Sequence, residues 1–294
     1  MRILLLGSSG LIGHAIHKAV AGAGIESQSV TRSTLPSLDL NDVDQIAALD
    51  LDGFDTVIHA AGVTDEEVVE SPRDAILRAT IGTAKFLQRC REAGIRRYVY
   101  VSSSHVYGPF EGVKDETSVP DPLTEYALCH FAVEQLVRRA VRQGGGCGLV
   151  VRPNAVFGMP PDLSKFRRWS LIPFQFPADL VKSGTIRIRS TGEQTRNFVS
   201  SEDIAEGIVA WLLTPQDEIR IWNPVGPLAC SIYEFAVICA NVYKESTGML
   251  GKVEVGNEPA TGSDFRLQSG LNLSLGRSRP EPYLREIFNV LLGS

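Results

Sequence analysis

Gly7, Gly10 and Gly13 stand three residues apart in the stretch RILLLGSSGLIG, directly behind an unbroken apolar run over 3–6. The chemistry that this spacing serves is phosphate binding. A tight strand-to-helix turn leaves backbone N–H groups free, and a helix N-terminus favours negative charge. Glycines let a pyrophosphate approach the backbone and let the helix pack on the strand. The pattern is G-x-x-G-x-x-G instead of the commoner G-x-G-x-x-G, and alone it also suits a glycine-rich turn in an unrelated protein. Its place between a strand and a helix gives it weight. The expected contacts to a dinucleotide are Gly7, Ser9, Gly10, Leu11, Ile12 and Gly13. A second position bears on which dinucleotide. A carboxylate about 20 residues past the glycines accepts hydrogen bonds from the ribose of NAD, whereas an arginine suits the 2′-phosphate of NADP. Nineteen residues past Gly13 stands Arg32, preceded by Thr31. NADP is therefore expected over NAD.

The elements that must hold these groups alternate. A helical apolar pattern over 11–20 follows the glycines. A weaker strand is expected over 27–30 and an extended piece over 37–40, and Asn41 is expected to cap a helix to about residue 49. TVIHAA, 56–61, predicts a buried strand, and 73–93 a long helix ending at Gly94. A strand over 98–102 leads to a loop over 104–122 rich in Gly, Pro and charge, a kind of segment that often carries function. A helix over 125–142 closes on Gly144, Gly145 and Gly146, and 148–152 is a further strand. Successive βα units of this kind define an α/β fold with a doubly wound parallel (Rossmann) sheet. Beyond Pro153 the character changes: prolines, aromatic and basic residues mix, a strand over 185–189 turns at Gly192, and Ser201 is expected to cap a helix. The expected division is 1–153 with 195–224 as the dinucleotide-binding domain, and 154–194 with 225–294 as a smaller, mainly C-terminal substrate lobe.

Composition narrows the classes. Apolar residues make up 44% and charged residues 21% of 294, with net charge −5, a globular profile with no basic footprint for nucleic acid. No apolar run approaches a membrane span, and the chain enters its first strand without a signal-peptide n-region, so a cytoplasmic protein is expected. Cys90, Cys129, Cys147, Cys230 and Cys239 include no C-x-x-C pair and are expected to be free thiols. The five histidines do not cluster as metal ligands.

Six further segments, taken in order, resemble the extended short-chain dehydrogenase/reductase family, the NAD(P)-dependent nucleotide-sugar epimerases, dehydratases and reductases. Asp39-Leu40 is similar to the acidic pair that reaches the adenine. His59-Ala60-Ala61-Gly62 resembles the turn over which the cofactor passes. Val101 to Gly108 resembles S-S-x-x-V-Y-G, and Thr124-x-Tyr126 the start of the catalytic helix. Arg196-Asn197-Phe198-Val199 with Asp203 resembles R-D-F-V-x-x-x-D, and Asn223-x-x-Gly226 the following turn.

The resemblance implies roles. Ser103 orients the sugar oxygen and Tyr126 transfers its proton, with Ser104, His105, Thr124, Asn154 and Arg196 near the substrate. Arg196 alone is a surface charge; inside its motif it is a phosphate contact. Free tyrosine has a pKa near 10 and needs a neighbouring cation to work at neutrality. In the family a lysine one turn later supplies that charge and holds the nicotinamide ribose; here the position is His130. An unperturbed imidazole is only about a quarter charged at pH 7. Two expected asparagines are Ala79 and Ala155, the second replaced by Asn154 if the register shifts by one. The implied function is an NADP(H)-dependent reductase or epimerase acting on a nucleotide-linked ketosugar. Compact length and Arg32 favour a ketoreductase, and a homodimer is compatible with the resemblance. The alternative is a dinucleotide-binding sensor or scaffold of the same fold with an impaired site.

Overall fold

The computed structural model describes residues 1–34, 36–214, 217–260, 262–273 and 276–293. In chain order β1 (Arg2–Leu6) and α1 (Leu11–Gly22) precede β2 (Glu26–Val30), α2 (Val43–Ala48) and β3 (Thr56–His59). Then come α3 (Asp65–Glu70), α4 (Pro72–Leu77), α5 (Thr83–Glu92) and β4 (Arg97–Val101). A 3₁₀ turn (Ser104–Tyr107) and β5 (Val113–Lys114) lead into α6 (Glu125–Gly144), β6 (Cys147–Val151) and β7 (Ala155–Phe157). Next are α7 (Ile172–Ser183), β8 (Thr185–Ser190), β9 (Thr195–Ser200), α8 (Ser201–Leu213) and β10 (Ile219–Trp222). The chain finishes with β11 (Leu228–Ser231), α9 (Ile232–Thr247), β12 (Lys252–Glu258), β13 (Arg266–Leu267) and α10 (Pro280–Leu292).

Six strands form a parallel sheet in the order β10-β6-β4-β3-β1-β2. Side chains alternate across it, as the two-residue period of a strand requires. Leu4, Leu6, Val57, Tyr98 and Tyr100 face Phe86 of α5 and Val133 of α6. Ile3, Leu5, Ile58 and Val99 face Ile16 of α1 and Ile208 of α8. This is the doubly wound Rossmann sheet expected from the apolar runs.

A second core gathers Phe157, Phe174, Phe198, Phe235 and Phe288 around a three-stranded sheet, β11-β9-β7, and a parallel pair, β12-β8. Phe198 and Phe235 stack with centroids 4.0 Å apart. The return of the chain toward the main sheet thus begins inside β9: Phe198 points into the second core, and Val199, one residue on, into the first.

Local details depart from the sequence expectations at helix ends. Asp42, not Asn41, caps α2, its carboxylate accepting from Asp44 N (2.9 Å) and Gln45 N (3.1 Å). Ser200, not Ser201, caps α8 through Asp203 N at 2.9 Å. The long helix expected over 73–93 is α4 and α5 joined by a π-helical turn, Arg78–Gly82. There Gly82 presses on the Leu40 carbonyl so closely that no side chain fits. The unforeseen α3 opens on a capping box, Thr64 with Glu67, a T-x-x-E signature present in the sequence.

Candidate active site

The glycine turn forms at the carboxyl end of β1. Gly7 has φ +86°, and a Cβ there would sit 2.6 Å from the Ala60 carbonyl carbon, so only glycine fits. Gly10 N donates to Gly7 O at 3.0 Å. The N-cap Gly10 offers no side chain, and no acid stands in the first turn of α1. The amides of that turn are left to an anion. Leu11 packs toward the second core and Ile12 toward the first, so the turn is wedged where both meet. Opposite it lie Ala60, Ala61 and Gly62. A Cβ on Gly62 would come within 2.8 Å of His130 Cε1.

Arg32, at the end of β2, is 64% exposed and 3.3 Å from Glu67, which Arg78 grips at 3.0 and 2.6 Å. The Asp39 carboxylate accepts from Asn41 N at 2.9 Å, and Leu40 is buried.

Tyr126 and His130 project from the first turns of α6, which Thr124 caps through Ala127 N at 3.2 Å. Both are buried, their rings edge to face with centroids 4.6 Å apart. The Ser103 hydroxyl stands close enough to Tyr126 to favour its ionised form and accepts from His105 N at 3.3 Å. Burial raises the Tyr126 hydroxyl above its ordinary range, while the Arg168 charge and the Ser103 hydroxyl pull it down. His130 Nδ1 lies 2.7 Å from the Tyr100 hydroxyl, and its Nε2 is buried without a hydrogen bond of normal geometry among the described residues. Burial, with the Arg168 charge beside it, lowers His130 to about 3. The fractional charge expected of an unperturbed imidazole is therefore absent: the ring is neutral. In the tautomer in which Tyr100 donates to Nδ1, the ring proton sits on Nε2, beside the Val63 backbone.

Groups from three further segments surround Tyr126. The His105 ring meets Phe110 at 4.8 Å and Tyr126 at 5.6 Å. Arg196 lies over Phe110, 4.5 Å from the ring centroid, and donates to Thr195 O at 2.7 Å. Burial lowers Arg196 to about 10, and among the described residues no carboxylate is within ion-pair distance of it. An enclosed guanidinium without a counterion is suited to an anionic ligand. Sequence reasoning missed Arg168, which crosses from the segment joining β7 to α7. Its Cζ is 5.9 Å from the Tyr126 ring centroid, and Asp65 (3.0 Å) and Glu66 (3.6 Å) hold it.

Two residues expected near the substrate, Ser104 and Asn154, bond to each other. Ser104 is fully buried and accepts from Asn154 Nδ2 at 2.8 Å, while Asn154 Oδ1 accepts from Asn197 N at 3.0 Å. Asn154 thus fastens β9 to the 3₁₀ turn. Behind the site Glu134, two turns past Tyr126, meets Arg152 at 2.9 and 2.6 Å. Ser102 donates to the same carboxylate at 2.6 Å, and the Tyr107 ring covers the guanidinium at 4.7 Å.

Fold and site together define a dinucleotide-binding protein of the extended short-chain dehydrogenase/reductase type. The family model described as NAD dependent epimerase/dehydratase family matches residues 3–223, and the chain belongs to that family. A UDP-glucose 4-epimerase of Azospirillum brasilense is 30% identical over 176 residues, covering 54% of this chain and 50% of that one. The chain thus spans about half the length of that curated relative. A GDP-L-fucose synthase of Sinorhizobium fredii is 24% identical over 297 residues, covering 96% and 91%. Among solved structures, MoeE5 in complex with UDP-glucose and NAD superposes with TM-score 0.80 at 20% identity, covering all of both chains. That likeness is one of fold.

Proposed function

We propose that this chain is an NADP(H)-dependent reductase or epimerase of a nucleotide-linked ketosugar. The observation that carries the reading is the meeting of Ser103, Tyr126 and His130 at the carboxyl end of the sheet, with Arg196, which has no carboxylate partner among the described residues, over the nearby Phe110. The residues fit a nicotinamide dinucleotide: the capless N-terminus of α1, the crowded Gly7–Ala60 contact, and the His130 ring packed against Gly62. Such a cofactor, when bound, supplies or accepts hydride. Tyr126 exchanges the proton of the sugar oxygen, Ser103 polarises that oxygen, and His130 Nε2–H holds a ribose hydroxyl. Arg196 pairs with the diphosphate. The dinucleotide domain comprises 1–153 with 195–224, and the substrate lobe comprises 154–194 with 225–294. A homodimer belongs to the same reading, and light scattering checks it.

The relatives named above carry UDP-glucose and GDP-fucose in their names, which supports the nucleotide-sugar class. Saturable NADPH oxidation with a panel of ketosugar nucleotides tests it. The neutral His130 favours a second reading, a dinucleotide sensor without turnover; tight NADPH binding with no turnover across the panel would select it. The coenzyme preference has its own measurement. A charge-assisted contact from Arg32 to a 2′-phosphate is worth about 1.5–3 kcal/mol, roughly 10- to 150-fold. NADPH should bind tighter than NADH in parallel titrations, and Arg32→Ala should erase most of the gap. Equal affinities in the parent would return Arg32 to a surface role.

A further inference from the structure

A tyrosine that moves protons near neutrality needs a positive charge beside it. The groups facing Tyr126 can be enumerated by element. From its own helix comes His130, from β4 comes Tyr100, and from the 3₁₀ segment come Ser103 and His105. From α3 come Asp65 and Glu66, and from the β7–α7 segment Arg168. Arg196 stands further off, over Phe110. Both histidines are pushed toward the neutral form by burial. Among the described residues facing the ring, that leaves Arg168 as the cation.

We infer that Arg168 supplies the positive charge that serves Tyr126, while His130 supplies only a hydrogen bond. The inference rests on the proposed catalytic role of Tyr126. Two tasks that one lysine would combine are thereby divided between helix α6 and a segment about 40 residues later. The geometry explains how an arginine from a connecting segment can be placed accurately enough. Asp65 and Glu66 grip its guanidinium from α3, and Ser170 donates to Glu66 at 2.7 Å, tying down the same stretch. Arg167 pairs with Glu70 one residue earlier. Asp65 is half exposed, so solvent screens its charge more than that of the largely enclosed Arg168. Glu66 is as enclosed as Arg168, yet it is the guanidinium that lies against the Tyr126 ring, and its charge pulls the hydroxyl down more than Asp65 raises it. Arg168 thus acts through Tyr126 as a positioning residue.

The test reads Tyr126 directly. Tyrosinate absorbance is titrated for each protein against its Tyr126→Phe partner, over the pH range in which circular dichroism shows the chain folded. Arg168→Met should raise the midpoint by about one unit or more, the usual size of a lost opposite charge, leaving roughly ten-fold less tyrosinate at a given pH. Arg168→Lys should stay near the parent, and adding His130→Lys to Arg168→Met should bring the midpoint back. Asp65→Asn breaks the same ion pair but removes a negative charge, so its midpoint should stay or fall. A merely structural role would move both in one direction. NADPH affinity should be kept in Arg168→Met and lost in His130→Ala. Equal midpoints in parent and Arg168→Met, or no Tyr126 tyrosinate in the folded parent, overturns the inference. Because the titration needs no sugar substrate, its result stands apart from any failure to find turnover.

Discussion

Two histidines carry the unusual protonation of the site. His59 and His130 are both buried and both held near 3, by burial first and by the charges of Arg78 and Arg168 second. In the unfolded chain each protonates near 6.5. Between those values the unfolded state binds more protons, so stability is complete above about 6.5 and falls as pH drops toward 3. At about pH 5 each ring costs about 2 kcal/mol. Urea midpoints should fall between about pH 7.5 and pH 5, and His59→Gln should shrink that fall by about one ring's share. An equal fall in parent and variant would mean the rings are not what acid attacks. Arg196→Ala should raise KM for a nucleotide sugar by roughly ten-fold or more, the size of a charged hydrogen bond, with NADPH affinity kept. An unchanged KM in the folded variant would leave Arg196 as packing over Phe110.

Helix α6 shows how one element serves chemistry and stability at once. Tyr126, His130 and Glu134 recur at four-residue spacing and lie on one buried face. The first two form the site, and the third closes a pair with Arg152 in which neither side chain is more than 1% exposed. Glu134→Gln would strand the guanidinium without its counterion, a loss of about 3–5 kcal/mol, readable by denaturant unfolding. A variant as stable as the parent would show that the charge can escape to water. Much of this was legible in the sequence. Apolar runs marked the strands of the main sheet, and Tyr126 and His130, four apart, share a helix face as their spacing implied; Ser103 was legible only through the family resemblance. Arg168 was not legible, because its segment has no periodicity and its partners, Asp65 and Glu66, lie about 100 residues away. The one-residue errors at Asn41 and Ser201 arose because adjacent polar residues can each cap, and backbone geometry chooses between them. Ser104 and Asn154 have types that fit a ligand, and in the fold each is the other's hydrogen-bond partner.

At the scale of the whole molecule, the two cores share strand β9, whose successive residues Phe198 and Val199 enter different cores. The two cores are thereby coupled through one backbone, and Asn154 reinforces the join at Asn197. The main sheet, in turn, is completed only by β10, which pairs with β6 after the chain has left and re-entered the sheet. That arrangement has a consequence for the newborn chain. During synthesis Cys147–Val151 emerges some 70 residues before its outer neighbour, and until then it offers an unpaired edge of apolar residues, the kind of edge that recruits other chains. A protein ending at residue 214 keeps that edge permanently. It should associate and precipitate where the full chain does not, and light scattering of freshly refolded samples would show it. A truncated chain that stayed monomeric would mean that another segment shields β6 while the ribosome is still at work.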